Sequence, residues 1–196
     1  MILAYSVALR GDVRPPQGLQ VLITQALRCF YREQAEMPGA LDAEVRAFFQ
    51  ANQSLFAQTD IIEFRYPTVL RELRELEEFL GRHEDAIVSD LQRLKGLAQL
   101  AVYLPKEQDY VTGEKPKSGT QYLHAKRDRS RAHVDAIDKV REVARGELRD
   151  SVVQGDRVLL LVSRQVAPSL AEKIIAETKL EAVGPFPPSG FAKLLS

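Results

Sequence analysis

The chain has 196 residues, 45% of them hydrophobic and 28% charged, and its 27 Lys and Arg balance 27 Asp and Glu. A chain of this length buries roughly 70% of the surface it exposes when unfolded, so its core needs no metal or disulfide staple. The even charge balance argues against a general nucleic-acid binder, which is usually basic. A single cysteine, Cys29, excludes an internal disulfide and any CxxC pair, which fits a reducing, cytoplasmic setting.

The opening Met1-Ile2-Leu3-Ala4-Tyr5 has no basic region ahead of its apolar stretch, so it reads as a strand and not as a signal peptide. Ile2 to Leu9 is apolar and bounded by Gly11 and Pro15-Pro16, which predicts a buried strand and a loop. Between Leu19 and Arg32 further strands are expected around Val21, Leu22, Ile23, Leu27, Cys29, Phe30 and Tyr31. After Met37-Pro38-Gly39, the spacing of Leu41, Val45, Phe48, Phe49, Asn52 and Phe56 predicts an amphipathic helix with all three phenylalanines in the core. Asp60 to Thr68 reads as a strand that Pro67 ends.

Leu70, Leu73, Leu76 and Leu80 then form an apolar helical stripe opposite the solvated charges Arg71, Glu72, Arg74, Glu75, Glu77 and Glu78. Beyond Gly81 a second stripe, Ile87, Leu91 and Leu94, ends at Lys95-Gly96, and Leu97 to Leu104 is strand-like up to Pro105. No stretch approaches the ~18–20 apolar residues that a membrane span requires.

Lys106 to Gly119 is polar and contains Gly113, Pro116 and Gly119, so it reads as a linker between a module at 1–105 and a second at 106–196. Ser118-Gly119-Thr120-Gln121 fits a capping box, opening a helix that runs to about Asp150. Its second half turns Val134, Ile137, Val140, Ala144 and Leu148 inward, whereas its first half offers little beyond Tyr122, Leu123 and Ala125. That first half is expected to project from the core or to pack on something else. Val158 to Val162 is a continuous apolar run, as in a strand buried on both faces. Ser169 to Glu172 fits another capping box, for a helix with Leu170, Ile174 and Ile175 inward, and Glu181 to Val183 forms a last strand. Strands and helices alternate without a glycine-rich phosphate turn, which predicts an α+β fold of small sandwiches.

Reactive chemistry is missing. His124 and His133 are nine residues apart, on opposite faces of one helix, so they do not jointly clamp a metal and no metal site is expected. No G-x-S-x-G elbow occurs, and Gly113 to Thr120 lacks the lysine of a phosphate loop. The expectation is a protein with no catalytic residues, metal or cofactor. Lys115, Lys117, Lys126, Arg127, Arg129 and Arg131 read as a solvated face, or alternatively as a contact for an anionic ligand or nucleic acid.

Three segments in this order resemble the gas vesicle protein F/L (GvpF/GvpL) family. Ile62-Glu63-Phe64-Arg65-Tyr66-Pro67-Thr68-Val69 is similar to the family's Leu-Pro-Phe-Arg-Phe-Gly-Thr-Val. Ser118-Gly119-Thr120-Gln121-Tyr122-Leu123 resembles its Ser-Gly-x-x-Tyr-Leu helix opening, and Gly184-Pro185-Phe186-Pro187-Pro188-Ser189-Gly190-Phe191 its Gly-Pro-Trp-Pro-Pro-Tyr-Ser-Phe ending. Pro67 stands where the family has glycine, and Phe186 where it has tryptophan. The resemblance implies two α+β modules of ferredoxin-like kind, the second with the long helix. It also implies a non-enzymatic role in gas vesicle formation, with the hydrophobic shell protein and other accessory proteins as partners. Candidate contact residues are Tyr122, Leu123, Lys126, Arg127 and Arg129 on the long helix, and Phe186 and Phe191 in the tail. The tail is read first as a structural clasp that lays its two phenylalanines onto a core or partner.

Overall fold

A computed structural model of the chain describes residues 1–39, 41–105 and 119–194, without the side chains of 119–126 and 128–130. The chain forms two compact units, Met1–Leu97 with Phe186–Ser196, and Ala98–Pro185. The linker at 106–118 lies outside the described residues. The division between the units falls at 97 and not at 105, because the strand that follows Leu97 hydrogen-bonds into the second sheet.

The first unit holds strands β1 (Ile2–Leu9), β2 (Gln20–Ile23), β3 (Leu27–Glu33) and β4 (Ile61–Leu70), and helices α1 (Asp42–Phe56) and α2 (Leu73–Arg93). The sheet is antiparallel in the order β2-β3-β1-β4. Central β1 is buried from Ile2 to Ala8 on both sides of its pleat, which requires cover on both faces. Ring contacts show what supplies it. On one face Phe48 of α1 stacks on Tyr5 at 4.7 Å and meets Tyr66 edge-on at 5.0 Å. On the other Phe79 of α2 lies 6.0 Å from Phe64. Successive residues of a strand point to opposite faces, and α1 side chains bond Glu63 while α2 meets Phe64, so the two helices sandwich the sheet.

Three expectations change here. Phe49 is 50% exposed. The helix buries the face of Phe48, Asn52, Leu55 and Phe56, and Phe49, one residue round from Phe48, touches only that ring's edge at 5.7 Å. Strand β4 runs through Pro67 to Leu70. Proline is tolerated because β4 is an edge strand and because a register shift, with Ala4 opposite Thr68 but Ser6 opposite Glu63, leaves residues 64–67 outside the regular ladder. Helix α2 is continuous across Gly81, where a Cβ would meet nothing. From α2, Glu84 accepts the Thr24 hydroxyl and the Ala26 N–H, fixing the β2–β3 turn.

The second unit comprises β5 (Leu97–Tyr103), α3 (Gly119–Ala144), β6 (Leu148–Gln154), β7 (Arg157–Ser163), α4 (Ala167–Thr178) and β8 (Ala182–Phe186). Its order β6-β7-β5-β8 with a β-α-β-β-α-β connectivity is the ferredoxin-like arrangement. The first sheet has the same strand order, but residues 10–19 replace the first crossover helix, and α2 is added after the last strand. Strand β7 is buried from Val158 to Val162, as its apolar run predicts.

Helix α3 stops at Ala144, not near Asp150, and residues 148–154 form β6, paired antiparallel with β7. Val140 and Ala144 are buried as expected, while Val134 is exposed. The box at Ser169 does not form. Helix α4 starts two residues earlier, at Ala167, and the Ser169 hydroxyl donates to the Val166 carbonyl at 3.0 Å. Ile175 is exposed, on the outer side of α4 from Leu170 and Ile174. The last strand extends through Gly184-Pro185 to Phe186, again on a sheet edge.

Gly184 has φ +135°, and a Cβ there would stand 2.8 Å from the Gln99 carbonyl oxygen and 2.9 Å from Leu100 Cδ2. Gly184→Ala therefore combines backbone strain with a clash against β5. A loss of about 2–4 kcal/mol is expected in urea unfolding, and an unchanged midpoint would refute this packing.

Candidate functional site

The tail after β8 is the most constrained irregular segment of the first unit. Pro187, Pro188 and Ala192 are buried, and a 3₁₀ turn spans Ser189–Phe191. The Glu63 N–H on edge strand β4 donates to Ser189 Oγ at 2.8 Å, and that hydroxyl lies 3.4 Å from Glu63 Oε2. Further on, Arg93 of α2 donates to the Phe191 carbonyl at 2.7 Å, and Asp90 accepts the Lys193 N–H at 2.7 Å while pairing with Arg93 at 2.7 Å. Leu194 then lines an apolar pocket of ≈ 190 Å³ with Phe64, Leu70, Leu76 and Phe79. Because Glu63 belongs to the α1 face and this pocket to the α2 face, the tail wraps round the outer edge of β4.

Around the first anchor lies a buried polar cluster. Ser6, the register partner of Glu63 on β1, and Asn52 on α1 are fully buried. Ser6 Oγ and Asn52 Oδ1 have no hydrogen-bond partner, and Asn52 Nδ2 reaches the Tyr5 carbonyl only at 3.5 Å. Burial pushes the Glu63 carboxyl up to about 7, against the opposing hydrogen bonds from Ser189 and Asn52. Glu63 itself is half-buried, whereas the buried carboxylate of Asp90 is matched by the Arg93 guanidinium.

Of the candidate contact residues, Phe186 is half-buried in β8 and Phe191 half-buried in the 3₁₀ turn, its carbonyl held by Arg93. Arg127 is exposed on α3. The side chains of Tyr122, Leu123, Lys126 and Arg129 lie outside the described residues, as do Lys115, Lys117 and Ser118. Sequence reasoning missed Glu63, Ser189 and Asp90. A glutamate in an otherwise apolar strand, Ile61-Ile62-Glu63-Phe64, was the available signal for the first of them.

Cys29 is buried, and burial pushes its thiol well up, away from the reactive thiolate. Among the described residues no three His, Cys, Asp or Glu side chains come together to hold a metal, and no helix is long and apolar enough to cross a membrane. A pocket of ≈ 200 Å³ between Tyr5, Arg32, Glu44 and Tyr66 has two of its polar groups committed to Gly39. Tyr66 donates to the Gly39 carbonyl at 2.8 Å, and Glu44 accepts the Gly39 N–H at 2.6 Å.

These features define a two-unit α+β protein whose C-terminal segment is clasped onto its N-terminal sheet. Its fold is shared with the gas vesicle protein GvpF. The structure matches GvpF from Anabaena sp. PCC7120 with a TM-score of 0.75 and 9% identity, over 98% of this chain and 96% of that one. It matches GvpF from Microcystis aeruginosa with a TM-score of 0.72 and 11% identity, over 98% and 99%. The chain thus has the GvpF fold along nearly its whole length, and the resemblance seen in three short segments holds at the level of the fold. No family model and no curated protein matches the sequence.

The Glu63 environment sets a pH dependence. An acid whose folded pKa is raised stabilises the fold fully below its unfolded value, and that contribution is lost as pH rises through the folded value. Stability is therefore expected to fall between pH 4.5 and about 7, by up to ~3 kcal/mol. Denaturant titrations across this range should show the slope in the wild type and lose it in Glu63→Gln; a parallel slope in both would exclude Glu63 as its source.

Proposed function

We propose that this chain is a GvpF/GvpL-family accessory protein, an assembly factor or minor structural component of gas vesicles that binds the hydrophobic shell protein and other accessory proteins. The observation that carries the reading is the coincidence of two independent signals. The full-length fold is that of GvpF, and the three family-like segments occur in family order at β4, at the start of α3 and in the tail. The role is non-catalytic and cytoplasmic, at the vesicle.

An apolar partner needs an apolar surface, and monomers seldom expose large contiguous ones. Leu41, Val45 and Phe49 recur at i, i+4 and i+8, so they share one side of α1. Leu41 is 67% and Phe49 50% exposed, and Met37, just before the helix, is 67% exposed. This stripe supports shell-protein capture, alongside Tyr122 and Leu123 with the basic Lys126, Arg127 and Arg129 at the start of α3, and Phe186 and Phe191 in the tail.

Co-expression with shell protein followed by affinity capture tests the reading. The wild type is expected to retain shell protein, and a double substitution Leu41→Asp with Phe49→Asp to lower the captured amount about tenfold, as the loss of two apolar anchors implies. A folded wild-type chain that captures none would overturn the proposal.

A further inference from the structure

The tail clasp has two anchors of different electrostatic kind. Asp90 is buried but charge-paired with Arg93, and it accepts the Lys193 N–H. Glu63 has no such partner. From β1 it faces Ser6, from α1 Asn52 and from the tail Ser189, all uncharged, and no charged group contributes to its shift. Asp60 and Arg65 flank it in sequence, and the charges of α2 belong to the opposite face of the sheet.

A carboxylic acid adds one O–H donor that a carboxylate lacks. The cluster has an unmet need for that donor, since Ser6 Oγ and Asn52 Oδ1 are both buried without a partner. An ionised Glu63 instead leaves a desolvated negative charge held only by neutral hydrogen-bond donors, one of them the distant Ser189 hydroxyl at 3.4 Å. Release of the tail costs the ion its Ser189 hydrogen bond but relieves burial, the larger effect, by admitting water to the carboxylate, so release favours the ion.

We propose that Glu63 is a proton-sensitive lock on the C-terminal clasp: protonated, it holds the segment 186–194 against β4, and ionised, it loosens that segment and uncovers the apolar pocket beside Leu194. The sign follows from the release step. Glu63 regains an ordinary acidity once it is hydrated, so opening grows as pH rises from the ordinary carboxylate value of 4.5 and levels off above about 7.

Hydrogen exchange of the full-length chain, read by mass spectrometry on peptides covering 186–194 and 157–163, tests this. After correction for intrinsic exchange, the tail is expected to open at least about tenfold more at pH 8 than at pH 5, while β7 stays protected. Glu63→Gln should hold the tail closed and flatten its profile. Ser189→Ala, which removes a hydrogen bond that favours the ion in the closed state, should open the tail at both pH values and keep the difference between them. A flat wild-type profile overturns the lock, as does a wild-type-like profile in Glu63→Gln. Should Glu63→Gln fail to fold, a Ser189→Ala chain that shows no pH difference overturns it equally.

Discussion

An edge strand presents backbone groups that must find partners, and β4 finds one of them far away in sequence. Its Glu63 N–H is satisfied by the hydroxyl of Ser189, 126 residues along the chain. To make that bond the chain must complete the second unit, leave β8 and return to the first sheet. Much of the architecture depends on this return. The buried Pro187 and Pro188 set an extended path without needing donors of their own, the 3₁₀ turn places Ser189, and Asp90 with Arg93 fixes the segment's far side. The first unit is thus closed by residues that follow the whole of the second unit along the chain.

The two sheets share one strand order but solve the burial problem differently. In the second unit two crossover helices serve a β-α-β-β-α-β sheet. In the first, residues 10–19 are too few and too rich in proline and glycine to form the first of these helices. Helix α2 appears after the last strand instead, and covers the face that α1 leaves open. That is why every residue from Ile2 to Ala8 is buried, and why the charge-rich α2 carries a single apolar stripe.

What was legible in the sequence was the periodicity, and what was not was decided by tertiary neighbours. Strands β1, β5 and β7 stand out because their apolar runs end at glycine, proline or polar turns, and the spacing of Phe48, Asn52 and Phe56 gives α1. Strand β6 was read as helix because Leu148 continues the helical spacing of Val140 and Ala144; only Gly146 marks the break. Pro67 looked like a strand end because sequence does not say which strands lie at an edge, where proline costs the ladder nothing. The clasp residues were hidden for a similar reason. Glu63, Asp90 and Ser189 are ordinary polar residues until the fold brings them together, and the tail was legible as a clasp only through its prolines and resemblance.

The sheet edges carry a further argument about recognition. Among the described residues the two sheets have four edges, and each carries a device of the kind that prevents strand-to-strand association. Strand β2 is only four residues long, β4 carries Pro67 and is wrapped by the tail, β6 is bulged between Leu148 and Asp150 and carries Arg149 and Asp150, and β8 contains Pro185. The proposed role, capture of an apolar partner, would gain from this. Pairing through exposed backbone would recruit any extended chain, including its own copies, whereas side chains on a helix recognise a shaped surface. With the edges closed, the exposed stripe of α1 is the place where the first unit still offers apolar area to a partner without offering it a strand to extend.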